Sequence, residues 1–571
     1  MNGELLTSPL DEQFASLLLR LNGAPDPTLE HAARTVSAWR AEGHICVPLS
    51  ALGETASRER LLASRVVGQP GEFKPLILDR SDRLYLQRYW QYEAELAASL
   101  QRRLEQPVTF DARLLAAGLK RYFDAPADAI DLQRIAAETA VRKAVCVISG
   151  GPGTGKTRTV VAVLALLHEQ FAARGAAPRI ALAAPTGKAA ARMKESIQAA
   201  VEGSPEFAEL RGKLPTEAAT LHRLLGSIPG SPYFRHHADR PLAVDAVIVD
   251  EASMIDLALM AKLIAAIPAT ARLILLGDRD QLASVEAGSV LGDICNTAGE
   301  AGAKVRMAEH IVELRKNYRF QQDSGIHRMS QLINRGDAEE SLRLLQSGDA
   351  SDVRLRTNPT PPELAGALHQ LVVPGYSPFL TEPKPLEALQ RLSDFRVLCA
   401  VRRGPSGVDN LNRLIEQALV EEGLIQPGAT HYHGRPVLVQ VNDYGLRLFN
   451  GDVGLILRDP DSADELRAFF PDGAGGLRRL LPARLPLHET TFAMTVHKSQ
   501  GSEFERILFV LPEADAPLLT RELVYTAVTR ARSSVEIWAN PGVLQTAIER
   551  RTVRASGLRE ALWGQASAAV D

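Results

Sequence analysis

The feature that most constrains this chain is a run of eight residues, Gly150-Gly151-Pro152-Gly153-Thr154-Gly155-Lys156-Thr157. It fits the pattern G-x-x-x-x-G-K-[ST], and its context fits too. An apolar run at 144–149 precedes it, and an amphipathic helix is expected over 159–171. Glycines let backbone N–H groups close around phosphate oxygens with no Cβ in the way, and the helix start adds the positive end of its dipole. Lys156 is spaced to reach the β- and γ-phosphates and Thr157 to ligate Mg2+. A strand–loop–helix of this kind belongs to a parallel α/β sheet, so the loop already excludes all-helical and all-β architectures for the middle of the chain.

The surrounding texture agrees. From about residue 130, short apolar runs at 179–184, 246–249 and 272–276 alternate with helical stretches, as buried parallel strands and crossover helices do. A second α/β pattern occupies 395–400, 506–511 and 535–538. Between about 425 and 490 the chain reads as a small β insertion. Strands are expected at 436–441 and 453–457, with turns at Asn450-Gly451 and the glycine-rich stretch 472–476. Seven prolines from Pro359 to Pro385 predict a loop or linker over 358–387. The first 110 residues read as helices around one extended segment, Ile45-Cys46-Val47-Pro48-Leu49. Phe14, Leu17, Leu18 and Leu21 share one helical face there. Nothing catalytic stands out in that part, which is expected to dock or to brace.

Two further strand ends carry acids or amides. Val247-Ile248-Val249-Asp250-Glu251 closes an apolar strand on two carboxylates, and ligands bind at such carboxyl edges. Asp250 is expected to hold Mg2+ through water, and Glu251 to orient and deprotonate an attacking water. Gly277-Asp278-Arg279-Asp280-Gln281 ends another strand on the same edge, where the Gln281 amide can sense both a γ-phosphate and the nucleic-acid side of the site.

Composition narrows the partners. Lys plus Arg total 65 against 68 for Asp plus Glu, a formal charge of -3, which excludes a globally basic binder and leaves room for a local basic groove. Four cysteines with no C-x-x-C spacing argue against a zinc site or a disulfide framework and fit a reducing compartment. No apolar run reaches the roughly 18 residues of a membrane span. The start, Met1-Asn2-Gly3-Glu4, is acidic and lacks a basic n-region. A soluble cytoplasmic chain is expected.

Taken in order, eight blocks resemble those of superfamily 1 helicases, and within them the RecD family, the smaller helicase subunit of RecBCD (exodeoxyribonuclease V). The phosphate loop is the first. It is followed by Ala184-Pro185-Thr186-Gly187-Lys188-Ala189-Ala190, Thr220-Leu221-His222-Arg223-Leu224-Leu225, Asp250-Glu251-Ala252-Ser253-Met254 and Gly277 to Gln281. Leu314-Arg315-Lys316-Asn317-Tyr318-Arg319, Thr495-Val496-His497-Lys498-Ser499-Gln500-Gly501 and Val524-Tyr525-Thr526-Ala527-Val528-Thr529-Arg530-Ala531-Arg532 complete the set. Gly43-His44-Ile45-Cys46-Val47-Pro48-Leu49 and Asp82-Arg83-Leu84-Tyr85-Leu86 point to the RecD branch.

The resemblance implies an α/β fold of two RecA-like lobes. They would occupy 111–355 and 356–571, behind a mainly helical N-terminal domain at 1–110, with an SH3-like insertion in the second lobe. It implies ATP and Mg2+ between the lobes, with Lys156, Glu251 and Gln281 catalytic and with Arg319 and Arg530 as arginine fingers supplied by the second lobe. Gln133 resembles the adenine-reading glutamine, Tyr318 the adenine-stacking aromatic and Glu503 a ribose contact. Gly151, Gly153, Thr154, Gly155, Arg158 and Gly501 complete the nucleotide set. Pro185, Thr186, Lys188, Thr220 and His222 on the first lobe, and Thr495, His497 and Lys498 on the second, are the expected grips on single-stranded DNA phosphates.

The implied activity is ATP-driven 5′→3′ DNA unwinding in a heterotrimer with RecB and RecC, the nuclease lying on another subunit. A self-sufficient RecD-like helicase and a nucleotide-dependent scaffold without motor activity remain as alternatives. Only about 130 residues precede Gln133, which favours the subunit.

Overall fold

The computed structural model of the protein describes residues 7–54, 56–123, 130–215, 217–295, 306–320, 324–426, 430–443, 445–472 and 476–563. The acidic start and the middle of the glycine-rich 472–476 turn lie outside them. Two parallel sheets dominate. The first has six strands in the order Ile311–Leu314, Val145–Gly150, Arg272–Gly277, Ala246–Val249, Ile180–Ala184, Ala218–Thr220, all parallel. The second has five, in the order Val353–Arg356, Ala531–Trp538, Phe504–Val510, Phe395–Cys399, Ala493–Thr495, again all parallel. Val145–Gly150 and Arg272–Gly277 are buried along their whole length, which is why they read as unbroken apolar runs.

The helix after the phosphate loop, Lys156–Ala172, is buried at every residue from Thr159 to Leu167. The amphipathic helix expected there is therefore corrected: helices pack on it from several sides, so no face is left to be polar. The proline-rich stretch expected as a linker is also corrected. It forms the 20-residue helix Pro361–Leu380 and a shorter one, Pro385–Arg391. Pro361 and Pro362 take the first turn, where no N–H partner is needed, and Thr360 with Glu363 closes a capping box. Pro374 and Pro378 lie inside the helix, whose buried Tyr376 donates its hydroxyl to the Phe492 carbonyl at 2.6 Å.

An antiparallel five-stranded sheet, in the order Leu477–Leu480, Glu465–Pro471, Val453–Asp459, Arg435–Val439, His488–Thr490, interrupts the second lobe. Two of these strands were expected; the other three are short or charged and carry no clear period. The Asn412 amide fastens the exit of this insertion, bonding Thr490 and Ala493.

The N-terminal region contains a mixed four-stranded sheet, Cys46–Pro48, Arg83–Leu86, Leu76–Leu78, Val67–Gly68, beneath its helices. Helix Gln87–Glu105 buries Leu96, Ala97 and Leu100 in one core with the helix Leu257–Ala266 of the first lobe, and Ile45, Cys46 and Tyr85 of the N-terminal region join that core. Helix Gly325–Arg335 buries Ile326, Met329 and Ile333 in the second lobe's core.

The last described helix, Leu558–Trp563, leaves the second lobe altogether. Leu558, Leu562 and Trp563 enter the first lobe's core. Ser556 and Gly557 both donate to the buried Glu93 carboxylate at 2.9 Å, and Arg83 pairs with Glu560 at 2.8 Å. All four cysteines are free and buried, and no described helix is long and apolar enough to cross a membrane.

This returning segment should carry real stability. Leu558 is fully buried, so Leu558→Ala is expected to cost about 2–4 kcal/mol in urea unfolding. A loss below about 0.5 kcal/mol would show that the segment is not docked in solution.

Candidate nucleotide site and motor cleft

The phosphate loop takes its shape from two glycines. Gly153 and Gly155 have φ of 79° and 83°, a region closed to most side chains. Space forbids a Cβ as well: at Gly155 it would lie 2.0 Å from Gln133 Nε2, and at Gly153 2.5 Å from Arg319 Cβ. Lys156 folds back and donates to the Gly150 carbonyl and to the Gly151 carbonyl at 3.1 Å. Thr157 stands exposed in the first helical turn beside it.

Asp250 and Glu251 leave the end of the strand Ala246–Val249, two strands from the loop on the same edge. Glu251 has φ of 51°, left-handed for a residue with a side chain, a strain of about 1–3 kcal/mol that the fold must hold in place. Burial raises both carboxyl groups above their usual range. For Glu251 the adjacent Asp250 charge adds to the effect, partly offset by Arg530 and Lys156. A carboxylate raised in this way is a better proton acceptor near neutrality. Between them, Gln281 donates to Asp278 Oδ2 at 3.0 Å, and the second lobe's Tyr525 hydroxyl lies 2.9 Å from the same oxygen.

The walls converge on a cavity of about 460 Å³ lined by both lobes. Lys156, Arg192, Arg319, Arg530 and Arg532 face it against only three carboxylates, Asp250, Glu251 and Glu503. Gln281 Oε1, Arg319 Nη1 and Arg530 Nε are buried without a hydrogen-bond partner. Such atoms are costly unless something polar meets them, and three of them beside an excess of cations fit a polyanion with both donors and acceptors.

Most of the expected nucleotide residues meet here. Gly151, Gly153, Thr154, Gly155, Lys156 and Thr157 line one wall together with Tyr318, whose backbone N–H donates to the Gly153 carbonyl at 2.8 Å; Gly501 and Glu503 line the cavity from the second lobe. Tyr318 is 57% exposed, its ring under Lys316 Nζ at 4.9 Å, as a face open for stacking requires. Gln133 is buried beneath the loop and donates to the Thr154 carbonyl at 3.1 Å. Arg158 does not join the cavity; its guanidinium turns away, to the Tyr122 carbonyl at 3.3 Å and to Glu206.

One expectation needs correcting. Arg319 does not come from the second lobe. It follows the strand Ile311–Leu314, which pairs beside the phosphate-loop strand, and Asn317 ties its segment to that loop through the Pro152 carbonyl at 2.9 Å. Only Arg530 crosses from the second lobe, where it is buried and donates to the Ser502 carbonyl at 3.2 Å. Lys188, an expected DNA grip, lies partly buried in the cleft. Its ammonium donates to Ser502 Oγ across the cleft, and burial, then the Arg396 and Arg192 charges, bring it down to about 8.

The other residues expected to grip DNA stand at or after the carboxyl ends of outer strands. Pro185 and Thr186 follow Ile180–Ala184, and Thr220 ends the neighbouring strand. Thr186 and Thr220 each cap a helix with their hydroxyl, and Thr495 accepts from the Lys498 amide at 3.3 Å. The His222 ring meets Phe234 edge-on at 5.7 Å. His497 is half-buried, lowered by burial and by the Arg554 charge. Lys498 reaches Asn450 of the insertion at 2.9 Å.

The sequence reading missed Arg192, Asp278, Tyr525 and Arg532. Arg192 and Lys188 lie four apart on one helix, a spacing that puts both on the cleft face. Arg192 donates to the Gly501 carbonyl at 3.0 Å and pairs with Glu503 at 2.6 Å.

Comparison with known proteins agrees with this geometry. The RecBCD enzyme subunit RecD, N-terminal domain, matches residues 4–60; an AAA domain matches 133–287; and the UvrD-like helicase C-terminal domain matches 490–537. The RecBCD enzyme subunit RecD of Mycolicibacterium smegmatis is 40% identical over 98% of both chains. The chain belongs to the RecD family. The Haemophilus influenzae RecD subunit is 36% identical over 84% of this chain and 80% of its own. The ATP-dependent RecD2 DNA helicase of Deinococcus radiodurans is 34% identical over 68% of this chain but only 46% of its own length.

Glu503 gives this RecD-family cleft a measurable acid signature. Burial opposes its anion, but Arg192, then Arg319, hold its carboxyl down at about 2. A depressed carboxyl stabilises in full above its unfolded value near 4.5 and loses that contribution as pH falls toward 2. Glu503→Gln should therefore flatten the loss of urea stability between pH 5 and 3, within a total on the order of 2–3 kcal/mol. Equal slopes in wild type and variant would contradict the pairing.

Proposed function

We propose that this chain is the ATP-dependent 5′→3′ DNA helicase and translocase subunit of a RecB–RecC–RecD assembly, unwinding duplex DNA ends for recombinational repair and degradation. The observation that carries this reading is the two-lobed cavity. Its three unpartnered buried atoms belong to Gln281, Arg319 and Arg530, the residues whose order along the chain marks a hydrolytic motor.

The roles follow from chemistry. Backbone N–H groups of the phosphate loop and Lys156 hold the phosphates of ATP. Thr157 would hold Mg2+ through its hydroxyl and Asp250 would hold it through water, hard oxygen donors that suit this ion, which would neutralise phosphate charge. Glu251 orients and deprotonates water, Gln281 senses the terminal phosphate, and Arg319 and Arg530 neutralise developing charge from opposite sides. Tyr318 stacks on adenine, with Gln133 at its edge. Because the arginines belong to different lobes, the terminal phosphate biases how tightly the lobes close.

Thr186, Thr220, His222, Thr495, His497 and Lys498 grip single-stranded DNA through phosphates, independent of sequence. We read the antiparallel insertion as an SH3-like subdomain, which accords with 5′→3′ travel. The nuclease activity of the assembly is assigned to another subunit, and the setting to the cytoplasm. Identity of 40% to the M. smegmatis RecD subunit across 98% of this chain, against 34% to the RecD2 helicase across 68% of it, together with the RecD N-terminal domain match at 4–60, supports the subunit reading.

The test combines a loop variant with tailed substrates. Lys156→Gln should lower DNA-stimulated ATP turnover about a hundredfold or more while the chain still assembles with RecB and RecC. With its partners, the wild-type subunit should drive unwinding from 5′-tailed strands. Undiminished turnover in the variant would refute the motor assignment, and turnover without translocation would favour a scaffold.

A further inference from the structure

Glu503 holds more arginine than a ribose contact needs. It enters from the second lobe, just before the strand Phe504–Val510, with a side chain only 10% exposed. One carboxylate oxygen meets Arg319 Nη2 at 2.6 Å; the other meets Arg192 Nη2 at 2.6 Å and Arg532 Nη2 at 3.0 Å. Arg192 and Arg319 belong to the first lobe and Arg532 to the second, so two of the three pairs cross the cleft.

Arg319 is divided between two tasks. Its Nη2 is bound to Glu503, while its Nη1 is buried and unpartnered. A guanidinium grips phosphate best with two parallel N–H donors, and one of these is already committed to the carboxylate. We propose that Glu503 is a positioning residue that competes with the terminal phosphate of a bound triphosphate for Arg319, and so sets how strongly the cleft prefers ATP to ADP. This rests on the nucleotide reading given above and adds to it a specificity device.

The three-arginine arrangement makes such an exchange inexpensive. A buried carboxylate that loses its sole partner is strongly destabilised. Glu503 would keep Arg192 and Arg532 when Arg319 swings to phosphate, so the anion is never stranded. The exchange also has a mechanical side: a first-lobe arginine leaves a second-lobe carboxylate and joins the phosphate that Arg530 approaches from the second lobe.

The test measures equilibrium binding of MgADP and of the β,γ-imido analogue of MgATP to the full chain, as wild type, Glu503→Gln and Glu503→Asp. Removing the charge frees Arg319, whose contact is with the terminal phosphate alone. The ratio of Kd for ADP to Kd for the analogue should rise about fivefold in Glu503→Gln. Glu503→Asp keeps the anion and should stay within about twofold of wild type. An unchanged or smaller ratio in Glu503→Gln overturns the proposal, whether or not stability falls. Equal weakening of both nucleotides overturns it too, in favour of a ribose contact. A wild-type chain that binds neither nucleotide sinks the functional reading and this proposal together; normal wild-type binding with an unmoved ratio sinks the proposal alone.

Discussion

Between the two parallel sheets, five cationic side chains face three carboxylates at close quarters, with Glu503 of the second lobe held by arginines of both. That excess of positive charge lining the cleft is the constraint from which the rest of the site follows. Like charges so close together repel, and the protein tolerates them because sheets and helices fix each one from behind. Arg530 is pinned by the Ser502 carbonyl, and Arg319 by the Asn317 turn against the phosphate loop. A polyanion entering this space meets donors whose orientation has been set by folding, which is how electrostatic stabilisation becomes effective.

The same rigidity accounts for the strained and shifted groups. Glu251 sits in a left-handed conformation beside Asp250, both raised above their usual carboxyl range by burial. Neither arrangement would persist on a loose loop. Strand Ala246–Val249 is buried throughout and paired on both sides, and it delivers the two acids to the cavity with little freedom. Further cross-lobe bonds hold the neighbourhood, among them Tyr525 on Asp278 and Gln500 on the Leu282 carbonyl at 2.9 Å. The returning helix Leu558–Trp563 adds a second connection between the lobes, away from the nucleotide.

The parallel-sheet strands were legible because burial on both faces leaves unbroken apolar runs, and the phosphate loop because its glycines answer to backbone geometry alone. The strand-end pair Asp250-Glu251 and the amide Gln281 were legible from their place after such runs. Harder to read was anything decided by tertiary contact. Helix Gln87–Glu105 shows a helical period but not which lobe receives it. Pro374 and Pro378 argue against a helix locally, yet Tyr376 and Phe379 beside them are buried, and packing overrides propensity. The lobe that owns Arg319 depends on the parallel pairing of Ile311–Leu314 with Val145–Gly150, which no local pattern encodes. Arg192 and Arg532 were invisible for the same reason: their meaning lies in Glu503, more than 300 residues from the one and 29 from the other.

The most direct measurement is a crystal structure of the chain with Mg2+ and the β,γ-imido analogue of ATP. The account predicts guanidinium nitrogens of both Arg319 and Arg530 at hydrogen-bond distance, about 3 Å, from oxygens of the terminal phosphate. Finding both arginines well out of reach in a closed cleft, or the triphosphate bound away from Lys156, would contradict it.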